Sequence, residues 1–234
     1  MQSLLKHLPI LLILPVICSC NMIEKSSKHE FSSGYYKYKP EQGNDEKVYL
    51  EISNEKVVMF GLKDCKPVKS MMDIPLTYSD SILHNPLHFT KRSIDIDITT
   101  IPFKYRFGVA GQPPQLNVDF NAAIFVGRRY DKYHIHSNLD PFGKSHYQLI
   151  NRAYDFGVIL GMGSTLISPF TTNQIYQQEY NGMVIQYGVA VFLESNVASF
   201  GIAGGLDYLM SPDKDIWIYQ NQPWVGFIIG LALN

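Results

Sequence analysis

The sequence predicts an all-β chain: an antiparallel, up-and-down transmembrane β-barrel of about eight strands. Long segments alternate bulky apolar residues with small or polar ones and are separated by turn residues. Charge is sparse at 18% of residues while aromatics reach 13%, a bias toward strands. Of the 20 Lys and Arg residues only Lys214 follows Arg152. A basic side chain on a lipid-facing strand costs about 2–4 kcal/mol at the bilayer midplane, so this stretch is suited to lipid. The alternative is a lipid-anchored periplasmic β-sandwich or barrel.

The elements follow in order. Residues 47–52 and 56–61, joined by a turn at 53–55, form a short, rather polar hairpin. Residues 94–107 begin with Ile94, Ile96 and Ile98 against Asp95, Asp97 and Thr99. The pattern slips at Thr100 and continues as Ile101, Phe103, Tyr105 and Phe107, as a β-bulge beside Pro102 would cause. Residues 116–128 set Leu116, Val118, Phe120, Ile124 and Val126 against Asn117, Asp119, Asn121, Ala123 and Gly127, with Phe125 the apolar exception. Residues 154–166, 183–193, 200–210 and 225–233 repeat the alternation, each with Gly and other small or polar residues opposite the bulky face. Small residues suit a narrow barrel interior better than a water-facing surface. Segments of about 10 to 13 residues are long enough to cross a bilayer at a tilt. Tyr130, Tyr133, Tyr154, Tyr180, Tyr208 and Trp224 lie near strand ends, where an interfacial girdle is expected. The stretches 62–92 and 130–151 read as long connections, and 167–182 and 211–223 as surface loops.

The N-terminus carries an address. Lys6 precedes an apolar run at 8–17 (LPILLILPVI), which is too short to span a membrane and is interrupted by Pro9 and Pro15. Ile17-Cys18-Ser19-Cys20 resembles the bacterial lipobox. The resemblance implies a lipoprotein signal peptide at 1–19, cleavage before Cys20 and acylation of Cys20, hence lipid anchoring in the bacterial outer membrane. Residues 20–46 then form a flexible tether, with a short strand at 35–38, and residues 47–234 the β-barrel domain. Cys65 would be left as a single thiol in the mature chain.

Several stretches carry a further resemblance. They are the Ile94-Asp95-Ile96-Asp97 to Ile101-Pro102-Phe103-Lys104-Tyr105-Arg106 segment, Pro114-Gln115-Leu116-Asn117, and Trp217-Ile218-Tyr219-Gln220 with Pro223-Trp224-Val225-Gly226. Together with the lipobox, they make residues 47–234 similar to small uncharacterised outer-membrane β-barrel proteins and lipoproteins of Gram-negative bacteria. That resemblance implies a membrane barrel and supplies no catalytic residues.

The chemistry is thin. No G-x-S-x-G, H-E-x-x-H, C-x-x-C or P-loop pattern is present, so no catalytic residue and no cofactor are expected. His134 and His136 share one strand face, half of a metal site, with Asp131 and His146 near in sequence. Asp95, Asp97 and Asp119 with Lys104, Arg106 and Arg129 suit an ion-pair network inside a barrel, where charges must be paired. The loop 216–221 presents Trp217 and Tyr219 as candidate surface-binding residues. A net charge of −1 gives no reason to expect nucleic acid. The expected partners are outer-membrane lipid and an envelope protein or extracellular ligand. A lipid-modifying enzyme using His134, His136 and Ser164, or a narrow channel, are the competing functions.

Overall fold

A computed structural model describes residues 31–75, 85–139, 141, 145–194 and 199–232 of the chain. The signal segment, Cys20 and the turn residues after Glu194 lie outside these. The described chain is all-β, with eleven antiparallel strands: β1 (Gly34–Lys39), β2 (Glu46–Ile52), β3 (Lys56–Lys63), β4 (Lys66–Pro75), β5 (Leu87–Arg106), β6 (Gln115–Asn117), β7 (Asn121–Leu139), β8 (Ser145–Ile167), β9 (Tyr180–Glu194), β10 (Ser199–Leu209) and β11 (Pro223–Ala232).

The expected count of eight strands is corrected. Six strands, β5-β7-β8-β9-β10-β11, pair in order, and β11 returns to β5 from Trp224–Arg106 to Ala232–Asp97, so the hydrogen bonding runs round a ring. The predicted hairpin of β2 and β3 does not belong to this ring. It joins β1 and β4 in an extension of the same sheet, where β1 pairs with the first residues of β5 through Lys37–Thr90, Tyr38–Phe89 and Lys39–His88. The two stretches expected to be long connections are largely strand. β4 occupies one, while β7 and β8 run on as a hairpin paired from Asn121–Gly163 to Leu139–Ser145.

β5, β7 and β8 therefore serve both parts. Their outer halves continue past the ring into a skirt formed with β1–β4. Residues 34–39, expected within the tether, are one of its strands. The skirt curls around its own core of Tyr36, Val48, Leu50, Val57, Met59, Ile74, Leu87, Phe89, Tyr133 and Ile135. Its β3–β4 turn places Asp64 and Cys65 at φ 50° and 61°, the pair of left-handed residues that a two-residue hairpin of right-twisted strands requires.

The expected slip is a bulge, but it falls at Ile101–Pro102, one residue later than Thr100, and Ile101 faces inward, not outward with Phe103 and Tyr105. Thr100 pairs with Ile229 and Phe103 with Phe227, so Ile101 and Pro102 together oppose Ile228 alone. This extra residue brings Lys104 and Arg106 to the inner face, in line with Asp95, Asp97, Thr99 and Ile101. The expected 116–128 strand is also divided: β6 ends at Asn117, and β7 begins at Asn121 after a turn in which Asn117 Nδ2 donates to Asp119 Oδ2 at 2.7 Å.

Candidate functional site

Alternation sends two different chemistries to the two sides of the ring. The outer side is apolar. Ile96, Ile98, Ile124, Val126, Phe156, Val158, Leu160, Met162, Val189, Val191, Ile202, Val225 and Phe227 are all exposed. At the skirt end this belt gives way to a band of Arg92, Arg128, Tyr130, Lys132, Arg152 and Tyr154. Tyr130 and Tyr154 stack at 5.2 Å, with Arg92 over the first ring at 5.3 Å and Lys132 over the second at 5.4 Å.

The inner side is layered. Its middle is apolar: Ile101, Ala123, Phe125, Ile159, Ala190, Phe192, Ala203, Trp224 and Ile228 pack together. Phe125 and Phe192 meet edge to face at 4.9 Å. Two inward glycines make room for the rings. A Cβ on Gly157 would approach Phe125 Cε2 to 2.8 Å, and one on Gly205 would approach Trp224 Cζ2 to 2.8 Å.

The layer away from the skirt is cationic. Lys104 Nζ donates to Asp207 Oδ1 at 2.9 Å and Arg106 Nη2 to Asp207 Oδ2 at 2.6 Å, with Arg106 Nη1 reaching Thr165 Oγ1 at 3.1 Å. Lys104 lies 4.6 Å from the Trp224 ring centroid. The layer toward the skirt is acidic. Arg129 Nε donates to Asp131 Oδ1 at 3.0 Å, and Arg129 Nη1 lies 3.1 Å from Glu194 Oε2, with Asp155, Asp95 and Asp97 buried around it. One carboxylate oxygen from each of Asp95, Asp97 and Glu194 falls within a 4.8 Å group.

Of the residues expected in an interior ion-pair network, Lys104, Arg106 and Arg129 are ion-paired, while Asp95 and Asp97 are buried in the acidic layer. The counter-charges of the three cations include Asp207, Asp155 and Glu194, which sequence spacing did not connect to them. Asp119 caps a turn instead.

The loop carrying Trp217 and Tyr219 turns inward, correcting the expectation of an exposed aromatic loop. Trp217 is 2% exposed and Tyr219 1%, and both pack with Ile167, Val184 and Leu209 over the cationic end. The Arg106 guanidinium lies 5.4 Å from the Trp217 ring and 5.6 Å from that of Tyr219, a cation–π pairing that the low local dielectric strengthens. Tyr133 and Trp224 are buried as well and take no part in a girdle.

His134 and His136 do stand on one face of β7, the outer face of the skirt, while Tyr133 and Ile135 face its core. Asp131 points inward to Arg129 and is not beside them. A third imidazole is. His88 on β5 is the register partner of His134, and the two Nδ1 atoms are 2.6 Å apart. Burial, then His88, Arg152, Lys132 and His136, push the His134 imidazole below its ordinary 6.5 and keep it neutral at neutral pH. His88 is 46 residues from His134 in the chain, so only the pairing of β5 with β7 reveals it.

Ser164 does not join the histidines. It lies 14 residues along β8 from Ile150, the register partner of His134 (164 − 150), about 46 Å at 3.3 Å per residue. Cys65 is disulfide-bonded, against the expectation of a single thiol; its partner lies outside the described residues. Comparison with protein-family models, with curated proteins and with solved structures finds no match.

Proposed function

We propose that the six-stranded ring is a transmembrane β-barrel of a bacterial outer membrane and that the chain is a lipoprotein anchored through Cys20. Its role is structural or binding in the cell envelope. One observation carries this: a continuous belt of large apolar side chains is exposed on the outside of the ring, while ion pairs are buried inside it on either side of an apolar layer. A water-soluble barrel sandwiches apolar residues inside, because burying charge is costly and burying apolar area is favourable.

Dimensions agree. From Met183 to Leu193 the outward face of β9 is apolar. Ten steps of about 3.3 Å, tilted by about 45°, cover roughly 23 Å, close to the apolar band of outer-membrane barrels, about 25 Å tall. The Arg, Lys and Tyr band fits the headgroup level, with the skirt and the N-terminal anchor on the periplasmic side. Six strands are fewer than the eight usual in bacterial barrels, and the interior is correspondingly filled by side chains. A filled interior favours a structural or binding role over an open channel.

The test is fractionation combined with heat-modifiability on a gel, for the wild type and Cys20→Ala. The expected result is outer-membrane recovery of both, faster migration when unheated, and loss of the acyl mass only in the variant. A Cys20→Ala protein extracted by salt as a soluble species would overturn the barrel. The chain has two other cysteines, Cys18 and Cys20. Cleavage before Cys20 removes Cys18 and acylation consumes the Cys20 thiol, so the lipoprotein reading requires the Cys65 disulfide to be absent from the processed chain; intact-mass analysis tests this, and a retained Cys20–Cys65 disulfide would overturn the anchor.

A further inference from the structure

The outer face of the skirt holds a cluster that the membrane reading does not use. β5 and β7 bring His88 and His134 directly opposite each other, both half-buried, with Nδ1 facing Nδ1 at 2.6 Å and the rings at 82°. His136 follows two residues along β7 on the same face. Two neutral imidazoles can share one hydrogen bond here, one ring donating and the other accepting. The same convergence of lone-pair positions is what a metal ion needs.

We propose that His88 and His134 form a site for a divalent transition ion of the Zn2+, Cu2+ and Ni2+ class, and that His136, whose ring lies farther off than the 4.8 Å of a shared ligand group, swings in as the third ligand when the ion binds. Two nitrogens on a tetrahedral Zn2+ at about 2.0–2.1 Å sit roughly 3.3 Å apart. The two Nδ1 atoms need to part by only a fraction of an ångström, which side-chain rotation supplies. Two histidines on alternate residues of one strand and a third on the neighbouring strand give three imidazoles from a rigid sheet, with the outer side open for water or a fourth ligand. All-nitrogen donors select Zn2+, Cu2+ or Ni2+ over Mg2+ and Ca2+, which prefer oxygen.

The charged neighbours on this face are Lys39 on β1, Lys132 on β7 and Arg152 on β8. They weaken cation binding by repulsion. The site lies beyond the apolar belt and does not depend on the ring crossing a membrane.

The test is isothermal titration of the full chain, purified in detergent without a histidine tag, with ZnCl2 and CuCl2, and Cu2+ electron paramagnetic resonance on the same samples. One equivalent should bind, with nitrogen superhyperfine structure in the copper spectrum. His88→Ala and His134→Ala should each weaken binding at least tenfold, and His136→Ala should do so more mildly. Unheated gel mobility verifies that each variant is folded. Absence of binding, or binding unaltered by His88→Ala and His134→Ala, overturns the site. Unaltered affinity in His136→Ala alone overturns the three-imidazole set. MgCl2 should give no heat; equal binding of Mg2+ would move the site to carboxylates and also overturn the proposal.

Discussion

Leu160 is the position at which water and lipid give opposite answers. It is 62% exposed on the outer face of β8, mid-belt between Tyr154 and Leu166, with Ile124 and Tyr187 as its register neighbours. In water, Leu160→Arg places a soluble side chain on an exposed site, and its effect stays within about 0.5 kcal/mol. In a bilayer the same change puts a guanidinium near the midplane and costs about 2–4 kcal/mol, a shift of roughly 30- to 900-fold in the folding equilibrium. Urea titration in phospholipid vesicles measures it, with tryptophan emission as the signal. Both tryptophans of the chain, Trp217 and Trp224, are buried within the ring and redden on unfolding. Ile175→Arg is the control, because Ile175 is 66% exposed in the loop beyond the belt and should shift by less than about 0.5 kcal/mol. Equal, small effects at both positions, with a folded wild type in detergent-free buffer, would refute the lipid-facing belt.

Further expectations concern the interior. Asp207→Asn leaves Lys104 and Arg106 without their shared carboxylate and should cost about 3–5 kcal/mol by the same titration; adding Lys104→Met should recover part of it. Deleting Pro102 removes the extra residue opposite Ile228 and leaves Thr99, Ile101, Lys104 and Arg106 in unbroken alternation on the inner face. The heat-modifiable species should therefore persist on the gel, whereas inserting one alanine after Phe103 sends Lys104 and Arg106 outward and should abolish it. Gly205→Leu drives a side chain against Trp224 and should cost at least about 1–3 kcal/mol, read as a lower urea midpoint.

The ring strands were legible in the sequence because a period of two with bulky residues on one side needs only local reading. The bulge was legible to within a residue: the period breaks beside Pro102, but after Ile101 and not at Thr100, because Ile101 is an apolar residue that belongs to the inner face. The skirt was not. The second half of β7, from Arg128 to Leu139, alternates just as regularly, but its outer residues are Arg, Tyr, Lys and His instead of Ile and Val, so it read as a loop. β4 (KPVKSMMDIP) shows no clean alternation, with six of its first seven residues exposed. Trp217 and Tyr219 looked exposed because loops usually are. Their burial follows from Arg106, more than a hundred residues earlier, a long-range partner that spacing cannot supply. The same holds for His88. Alternation places a residue on a face, whereas only pairing says which residue stands beside it.

The uninterrupted passage of β5, β7 and β8 from the ring into the skirt has a mechanical consequence. There is no linker between the two parts at which they could bend independently, and no peptide segment whose removal would leave either with complete edges. Each part lends the other three of its strands, so neither has a folding equilibrium of its own. Loss of the skirt should therefore be felt inside the ring, and a force or ligand applied to β1–β4 is delivered along three continuous ladders to the acidic layer. Thermal unfolding should therefore follow a single transition.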